Sequence, residues 1–255
     1  MKVLLLQTNI KWRSPEANRT HAKAIIDAGL PTDLIVLPEM FATGYCMSPE
    51  LVTEEVDGET LEWMKQVAKE KNVALAGSIA TRENKKYYNR LYFVKPDGSC
   101  VIYNKRHLFS YAGEDEKYVA GEERVVVEYG GFRILLQICY DLRFPVFARN
   151  TGDYDMIIYV ANWPASRIDA WNTLCRARAI ENVCYVVAVN RTGEDPACKY
   201  TGGTMLVDFK GRAIVSAEGD HEEALAGEVE MDSLLRFRRK FPALLDADEF
   251  KITIK

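Results

Sequence analysis

The stretch FRILLQICYDLRFP, residues 132–145, joins a mostly apolar run to a polar turn at a single cysteine. Residues 132–138 are apolar enough to predict a strand that is buried inside a sheet. Cys139 lies where this strand ends, and charged residues and a proline follow at once. Taken alone, a cysteine at such a position is usually a small core residue. The end of a strand facing a polar turn is also where a nucleophile belongs.

Working outward from this stretch, strand-like and helix-like runs alternate almost throughout the chain. Ser14 is expected to cap a helix that has Pro15 at its first position and ends at Gly29. KPDG at 95–98 and KG at 210–211 have the composition of hairpin turns. Predicted strands cover residues 3–6, 33–37, 73–79, 87–94, 99–103, 132–138, 155–161, 184–189, 204–208 and 212–217, and predicted helices cover 16–28, 60–71 and 169–182.

This alternation predicts an α/β fold. Continuous apolar strands are expected where both faces of a sheet are covered, and the hairpins indicate mixed rather than purely parallel sheets. We therefore predict a four-layer α-β-β-α sandwich with two mixed sheets, formed by residues 1–255 as a single domain. A doubly wound single sheet is the alternative. Residues 238–255 are too apolar for a free tail, and we expect them to pack on the domain or on a partner subunit.

The composition excludes several classes of protein. The chain has 255 residues and a net charge of −4, and no long Lys/Arg run indicates binding to nucleic acid or to a membrane surface. No segment approaches the ~18 continuous apolar residues that span a bilayer. With 3 histidines and no His/Cys cluster, we expect no metal site. The irregular spacing of the 6 cysteines predicts free thiols and a cytoplasmic location.

Two other strand ends carry an acid and a base. LPEMF at 37–41 places Glu39 after an apolar run, and YNKRHLF at 103–109 does the same for Lys105. Hydrolysis of an amide through a covalent step needs a nucleophile, a base, an acid and positive charge for the oxyanion. Cys139, Glu39 and Lys105 meet these needs if the sheet edge gathers them. Singly, Glu39 could be a capping or surface residue, and Lys105 could belong to a solvated turn.

Together these three segments resemble the carbon–nitrogen hydrolase (nitrilase) superfamily. The superfamily pattern is a glutamate after a strand, a lysine after a hairpin, and a cysteine in a later strand-end motif. The order and approximate spacing agree over nearly the whole chain. Further segments are similar to the omega-amidase branch: LPEMF at 37–41, AGE at 112–114, YVANWP at 159–164, RARAIEN at 176–182 and the ending from KFP at 240–242 through DADEF at 246–250.

The resemblance implies a mechanism that needs no metal or organic cofactor. Glu39 would serve as base and then as acid, and Cys139 would carry the acyl group as a thioester. Lys105 and the backbone N–H of Tyr140 would hold the oxyanion. Glu114 matches a second glutamate of the family. Alternatively, Glu114 belongs to an exposed acidic turn. The branch acts on 2-oxoglutaramate and 2-oxosuccinamate, and similar enzymes form dimers, so we expect a homo-oligomer.

Recognition of the substrate is less defined by the sequence. A carboxylate on the substrate should meet an arginine, and Arg143 and Arg167 are close in sequence to the motifs above. For Arg143 we favour a structural ion pair with Asp141 or Glu39. Asn162 is a further candidate for binding the substrate.

Trp163 could wall the pocket or belong to the core, and His107 is expected to be structural support for Lys105. Three other functions stay open. The first is hydrolysis of another small amide, an N-carbamoyl compound or a nitrile. The second is a non-catalytic binding protein that keeps the fold. The third is a thiol-redox protein, which is disfavoured because no second cysteine lies close to Cys139 in sequence.

Overall fold

The computed structural model describes residues 1–253. The helices in chain order are α1 Pro15–Ala28, α2 Glu59–Lys71, α3 Glu114–Lys117, α4 Ile168–Asn182 and α5 Met231–Lys240. The strands are β1 Lys2–Gln7, β2 Leu34–Val36, β3 Glu54–Glu55, β4 Ala74–Glu83, β5 Lys86–Val94, β6 Cys100–Asn104, β7 Val126–Tyr129, β8 Phe132–Ile138, β9 Met156–Ala161, β10 Tyr185–Asn190, β11 Thr192–Glu194, β12 Lys199–Thr201, β13 Met205–Val207, β14 Ala213–Ser216 and β15 Glu223–Glu228.

The first sheet has the order β15-β1-β2-β4-β5-β6, with β3 paired to β4. Strands β1, β2 and β4 are parallel, and the β4–β5 and β5–β6 pairs are antiparallel. Strand β6 therefore runs in the same direction as β2, and the two strands end at the same edge of the sheet. Strand β15 returns from the far end of the chain to pair antiparallel with β1.

The second sheet has the order β14-β13-β10-β9-β8-β7. Its central strands β8, β9 and β10 are parallel, and β7 and β13 pair with them antiparallel. Both sheets are therefore mixed, as predicted. The short pair of β11 and β12 forms a separate hairpin after β10.

Three apolar cores hold the layers together. Side chains alternate between the two faces of a strand, and β1 shows this directly. Val3 and Leu5 face the second sheet, where they share a core with residues of β8 and β9. Leu4 and Leu6 face the other way and pack against α1 and α2. Helix α4 covers the outer face of the second sheet through Trp171 and its neighbours. The four-layer α-β-β-α prediction is confirmed.

Some local predictions need correction. Helix α1 starts with Pro15 and ends at Gly29 as expected, but the Ser14 hydroxyl donates to the Trp12 carbonyl and caps no helix N–H. The strand predicted at 73–79 continues as β4 to Glu83, because its pairing with β5 extends the ladder to Lys86. Strands β3, β7, β11, β12 and β15 lie outside the predicted set. Half of the residues of β15, whose sequence is EALAGE, are glutamate or glycine, which gives little apolar signal.

The C-terminal segment lies partly on the domain. Ala243 and Leu244 pack against the core between the sheets, whereas Phe241 and Leu245 are exposed. Residues 254–255 of the predicted 238–255 extension lie outside the described residues, and its contact with a partner subunit stays a prediction. Within residues 1–253, no helix combines the length and apolar character needed to cross a membrane.

Candidate active site

The three candidate residues from the sequence lie at strand ends of both sheets. Glu39 follows β2, Lys105 directly follows β6, and Cys139 directly follows β8. The first two leave the same edge of the first sheet. Cys139 leaves the second sheet, which packs face to face against the first. The sandwich therefore brings positions from distant parts of the chain to one end of the molecule.

Lys105 lies between two carboxylates. Its Nζ is 2.9 Å from Oε1 of Glu39 and 2.9 Å from Oε2 of Glu114. All three side chains are buried, with exposures of 1%, 0% and 0%. We call these residues the carboxylate–lysine cluster. Glu114 is therefore not part of an exposed acidic turn, although Asp115 and Glu116 beside it are exposed.

Asn89 connects the two carboxylates a second time. Its Nδ2 donates to Oε1 of Glu39 at 2.7 Å and to Oε1 of Glu114 at 3.1 Å. Its Oδ1 accepts from Oγ of Ser78, which in turn accepts from the backbone N–H of Met40 at 2.8 Å. Neither Asn89 nor Ser78 is predicted from the sequence. The available signal was a pair of polar residues inside strands, where asparagine is depleted.

The outer donors of the cluster come from its surroundings. Tyr45 donates its hydroxyl to Oε2 of Glu114 at 2.9 Å, and the backbone N–H of Phe109 donates to the same oxygen at 2.6 Å. The sequence analysis did not find Tyr45 either. With two carboxylates and one ammonium, the cluster holds one negative charge in excess. The neutral N–H and O–H donors around the cluster offset the free-energy cost of burying that charge.

Asn162 ties the second sheet to Glu39. It follows β9, and its backbone N–H donates to Oε2 of Glu39 at 2.8 Å. Its Nδ2 donates to the backbone carbonyl of Glu39 at 2.7 Å, while its Oδ1 is buried without a partner in the described residues. Asn162 lines the cavity described below, but these bonds make it a support for Glu39, a contact the sequence did not predict.

Burial and charge act in opposite directions on Lys105. Burial by itself would lower the pKa of the ammonium, because it penalises the charged form. The carboxylates of Glu114 and Glu39 outweigh this and hold the pKa of Lys105 well above its usual value. Lys105 is therefore a permanent cation at neutral pH.

Cys139 occupies a strained position. Its φ is +45°, in the left-handed region that non-glycine residues rarely adopt, and it begins a 3₁₀ turn over Cys139–Arg143. Its side chain is partly exposed and reaches the cavity. Burial, and then the nearby Glu39 carboxylate, raise the pKa of the thiol well above its usual value, with Lys105 opposing them. The resting group is therefore a thiol that needs a base.

Asp141 fastens the Cys139 turn to the Lys105 segment. Its carboxylate accepts from the backbone N–H of Ile138 at 2.9 Å, from the hydroxyl of Tyr103 at 2.8 Å and from the backbone N–H of His107 at 2.9 Å. The His107 ring lies 2.8 Å from the same carboxylate and stacks on Phe144. His107 thus has the structural place that the sequence suggested.

The predicted ion pair of Arg143 is wrong. Asp141 is already filled by the donors above, and Glu39 is bonded to Lys105, Asn89 and Asn162. The guanidinium of Arg143 lies instead over the ring of Trp163, 4.9 Å from its centroid. Trp163 is both a core residue and part of the cavity wall. It is 3% exposed and packs in the core beneath α4, and it also lines the cavity.

A small cavity of about 50 Å³ opens above Cys139. Tyr140 lines it next to the cysteine, with its ring packed edge-on to Phe109. Within residues 1–253, no group of three or more His, Cys, Asp or Glu side chains is arranged to hold a metal ion. The lining residues are Tyr45, Lys105, Phe109, Cys139, Tyr140, Arg143, Asn162, Trp163, Pro164, Arg167, Cys198 and Tyr200.

The chain is similar to known proteins over nearly its whole length. The chain is 42% identical over 252 residues to the omega-amidase YafV of Yersinia enterocolitica, and the match covers 98% of each protein. It is 34% identical to the 2-oxoglutaramate amidase of Bacillus subtilis, over 94% of this chain and 95% of that protein. A crystal structure from Xanthomonas campestris, a CN-hydrolase superfamily protein with an arsenic adduct in its active site, superposes with a TM-score of 0.95 at 40% identity and covers 99% of both chains. The family model described as carbon-nitrogen hydrolase matches residues 2–239. The chain therefore belongs to the carbon–nitrogen hydrolase family.

Proposed function

We propose that this protein is an omega-amidase that hydrolyses the terminal amide of 2-oxoglutaramate or 2-oxosuccinamate to the 2-oxo diacid and ammonia. One observation carries the proposal: a buried glutamate, fixed by Lys105 on one oxygen and by Asn162 on the other, adjoins a cysteine that opens into the cavity. The relatives named as omega-amidase and 2-oxoglutaramate amidase support this choice of substrate.

The first step forms the bond between Cys139 and the substrate. Glu39 accepts the thiol proton while Cys139 attacks the amide carbon. Because the pKa of the resting thiol is raised, this proton has to be removed as the attack proceeds. The negative charge that develops on the amide oxygen is stabilised by the ammonium of Lys105 and by the backbone N–H of Tyr140.

The second step releases ammonia. Glu39 returns the proton to the leaving nitrogen, the C–N bond breaks, and the acyl group remains on Cys139 as a thioester. Glu39 then takes a proton from water, and the resulting hydroxide attacks the thioester. The acid product leaves and the proton returns to the sulfur, so the enzyme ends as it began.

Glu114 supports these steps without touching the reacting atoms. It binds the ammonium of Lys105 together with Glu39, and both of its oxygens lie within 3.1 Å of Nζ. A lysine side chain has four rotatable bonds, so two fixed carboxylates remove much of its freedom. The ammonium is then in position before the substrate arrives, which is what stabilisation of an oxyanion requires.

The substrate is tested by ammonia release. The panel consists of 2-oxoglutaramate, 2-oxosuccinamate, glutamine, a carbamoyl amino acid and a nitrile. We expect kcat/KM for the two oxo-acid amides to exceed that for the others by a factor of at least ~100, since a mismatched polar group in a built site costs about that much. Equal or lower values for the oxo-acid amides would refute the choice of substrate.

The nucleophile is tested by Cys139→Ala, with Cys100→Ala as the matched control. Cys100 is a free, partly buried thiol on β6 and lies outside the cavity. We expect Cys139→Ala to lose roughly 10⁴-fold or more in kcat and Cys100→Ala to lose little. Intact mass of the wild-type protein mixed with substrate should show an acyl adduct that Cys139→Ala lacks. Full activity in Cys139→Ala would contradict the mechanism.

A further inference from the structure

The charges that line the cavity are all of one sign. Lys105, Arg143 and Arg167 line it, and no aspartate or glutamate does so among residues 1–253. The charge of Lys105 is already neutralised by the two buried carboxylates behind it. Arg143 and Arg167 are different, because no carboxylate of the described chain lies within 4.0 Å of either guanidinium. The unbalanced positive charge of the cavity therefore belongs to the two arginines.

Both guanidinium groups are held by aromatic rings. Arg143 lies over Trp163 at 4.9 Å, and Arg167 lies over Phe109 at 5.2 Å and over Tyr111 at 5.9 Å. A ring fixes the plane of a guanidinium and leaves the N–H groups along its edge free. That edge is the part that binds a carboxylate with two parallel hydrogen bonds.

The supports of the two arginines are connected to each other and to the carboxylate–lysine cluster. Arg143 lies over the ring of Trp163. The indole N–H of the same tryptophan donates to the backbone carbonyl of Arg167 at 2.7 Å. Arg167 lies over the ring of Phe109. The backbone N–H of Phe109 donates to Oε2 of Glu114 at 2.6 Å. Each arginine therefore has a position set relative to Lys105 and Cys139. Because the two arginines lie at a fixed distance from the Cys139 sulfur, they can select substrates by length and charge.

We propose that Arg167, acting with Arg143, binds the carboxylate of the substrate and is the residue that makes the enzyme select 2-oxo acid amides over amino acid amides. The inference rests on the proposed function and names the recognition that it requires. The arginines come from different elements, Arg143 from the turn after β8 and Arg167 from the turn just before α4.

The same pair explains rejection of glutamine and asparagine. These amino acids carry an ammonium on the carbon next to the carboxylate, where the 2-oxo acid has a neutral carbonyl oxygen. A substrate carboxylate bound by two arginines would bring that ammonium beside two like charges, with no acidic side chain of the cavity to compensate. Like charges juxtaposed in a desolvated site discriminate strongly between otherwise similar ligands.

The test compares a charged and an uncharged amide in Arg167→Gln. The charged substrate is 2-oxoglutaramate, and the uncharged one is pentanamide, which lacks the carboxylate. We expect KM for 2-oxoglutaramate to rise roughly 10- to 100-fold with kcat nearly kept, the size of a lost charge-assisted interaction. The kcat/KM for pentanamide should change less than about 3-fold, since that substrate never used the guanidinium. Arg239→Gln, an exposed arginine on α5 outside the cavity, should change neither.

A second variant and a binding measurement keep the outcome decisive. Arg167→Lys keeps the charge but loses the flat donor edge, and we expect a smaller increase in KM than with Arg167→Gln. In Cys139→Ala, binding of glutarate by calorimetry should weaken on addition of Arg167→Gln. Equal losses for both amides, or unchanged KM and unchanged glutarate binding, would overturn the inference. If the wild type ignores oxo-acid amides but glutarate binding depends on Arg167, the substrate fails and the carboxylate site stands.

Discussion

The segments that follow strands of the first sheet surround Glu39 and Lys105 with partners, whereas the segments that follow β8 and β9 of the second sheet leave Arg143 and Arg167 at the cavity wall. Lys105 is hydrogen-bonded to both Glu39 and Glu114, and the exposures of all three side chains are 1% or less. Arg143 and Arg167, from the second sheet, are partly exposed and lie over aromatic rings. In the mechanism we propose, the charges that act on every turnover are held in place by partners, and the charges that receive the substrate are left without one.

Among the changes that test this comparison, removing Lys105 should have the largest effect on stability and activity. Lys105→Met leaves two buried carboxylates without their cation. We expect the free energy of unfolding to fall by about 3–5 kcal/mol, as when one partner of a buried ion pair is lost. We expect kcat to fall by on the order of 10³-fold, because an oxyanion donor is lost with it. Urea unfolding and ammonia release measure the two.

The matched control for that change is Lys86→Met, an exposed lysine at the start of β5. It should change both quantities little, since exposed charges contribute little to stability. A stable Lys105→Met protein with wild-type kcat would show that the buried cluster serves neither folding nor the reaction.

Removing Asn89 should have an intermediate effect. Asn89→Ala takes one donor from each of Glu39 and Glu114 but leaves Lys105 between them. We expect kcat to fall about 10- to 100-fold, the usual size for a residue that orients reacting groups, with KM nearly unchanged. The free energy of unfolding should fall by about 1–3 kcal/mol.

Asn150→Ala is the control for Asn89→Ala. Asn150 is equally buried, and its Nδ2 donates to two acceptors, the carbonyls of Tyr154 and Asn182, away from the cavity. It should lose similar stability and keep its kcat. If both variants lost activity in proportion to stability, Asn89 would be a structural residue only.

The smallest effect is a shift in the reactivity of Cys139. Because burial and Glu39 raise the pKa of the thiol, iodoacetamide should label Cys139 slowly at pH 7, and the rate should still rise with pH above the ordinary value of 9.0. Glu39→Gln removes one cause of the raised pKa, so the labelling profile should move to lower pH. Peptide mass spectrometry over a range of pH measures this. Fast labelling of the wild type at pH 7, independent of pH, would mean a preformed thiolate.

The sequence predicted the long apolar strands and the residues at their ends because both signals are local. An apolar run followed at once by a polar residue is visible in the segments that contain Glu39, Lys105 and Cys139. These runs alone did not separate two packed sheets from one doubly wound sheet. The order of the motifs along the chain supported the resemblance to a known family.

The contacts that the sequence did not predict join distant segments of the chain. Asn89 meets Glu39 across 50 positions of the chain, and Asn162 meets it across 123. No periodicity within one segment encodes such pairs. The wrong ion pair of Arg143 has the same origin. Asp141 lies two residues away and has the right charge, but Tyr103 and His107 from another segment already occupy it.

The pairing of β1 with β15 has a consequence for synthesis of the protein. Lys2 lies opposite Glu228, so β1 leaves the ribosome long before the strand that pairs with it. Until then one edge of β1 has unpaired backbone groups, and such edges invite pairing with other chains. Contacts between such distant positions also slow folding. A nascent chain that stalls before β15 would therefore be prone to aggregation, and a chaperone that shields the β1 edge would raise the yield of active enzyme.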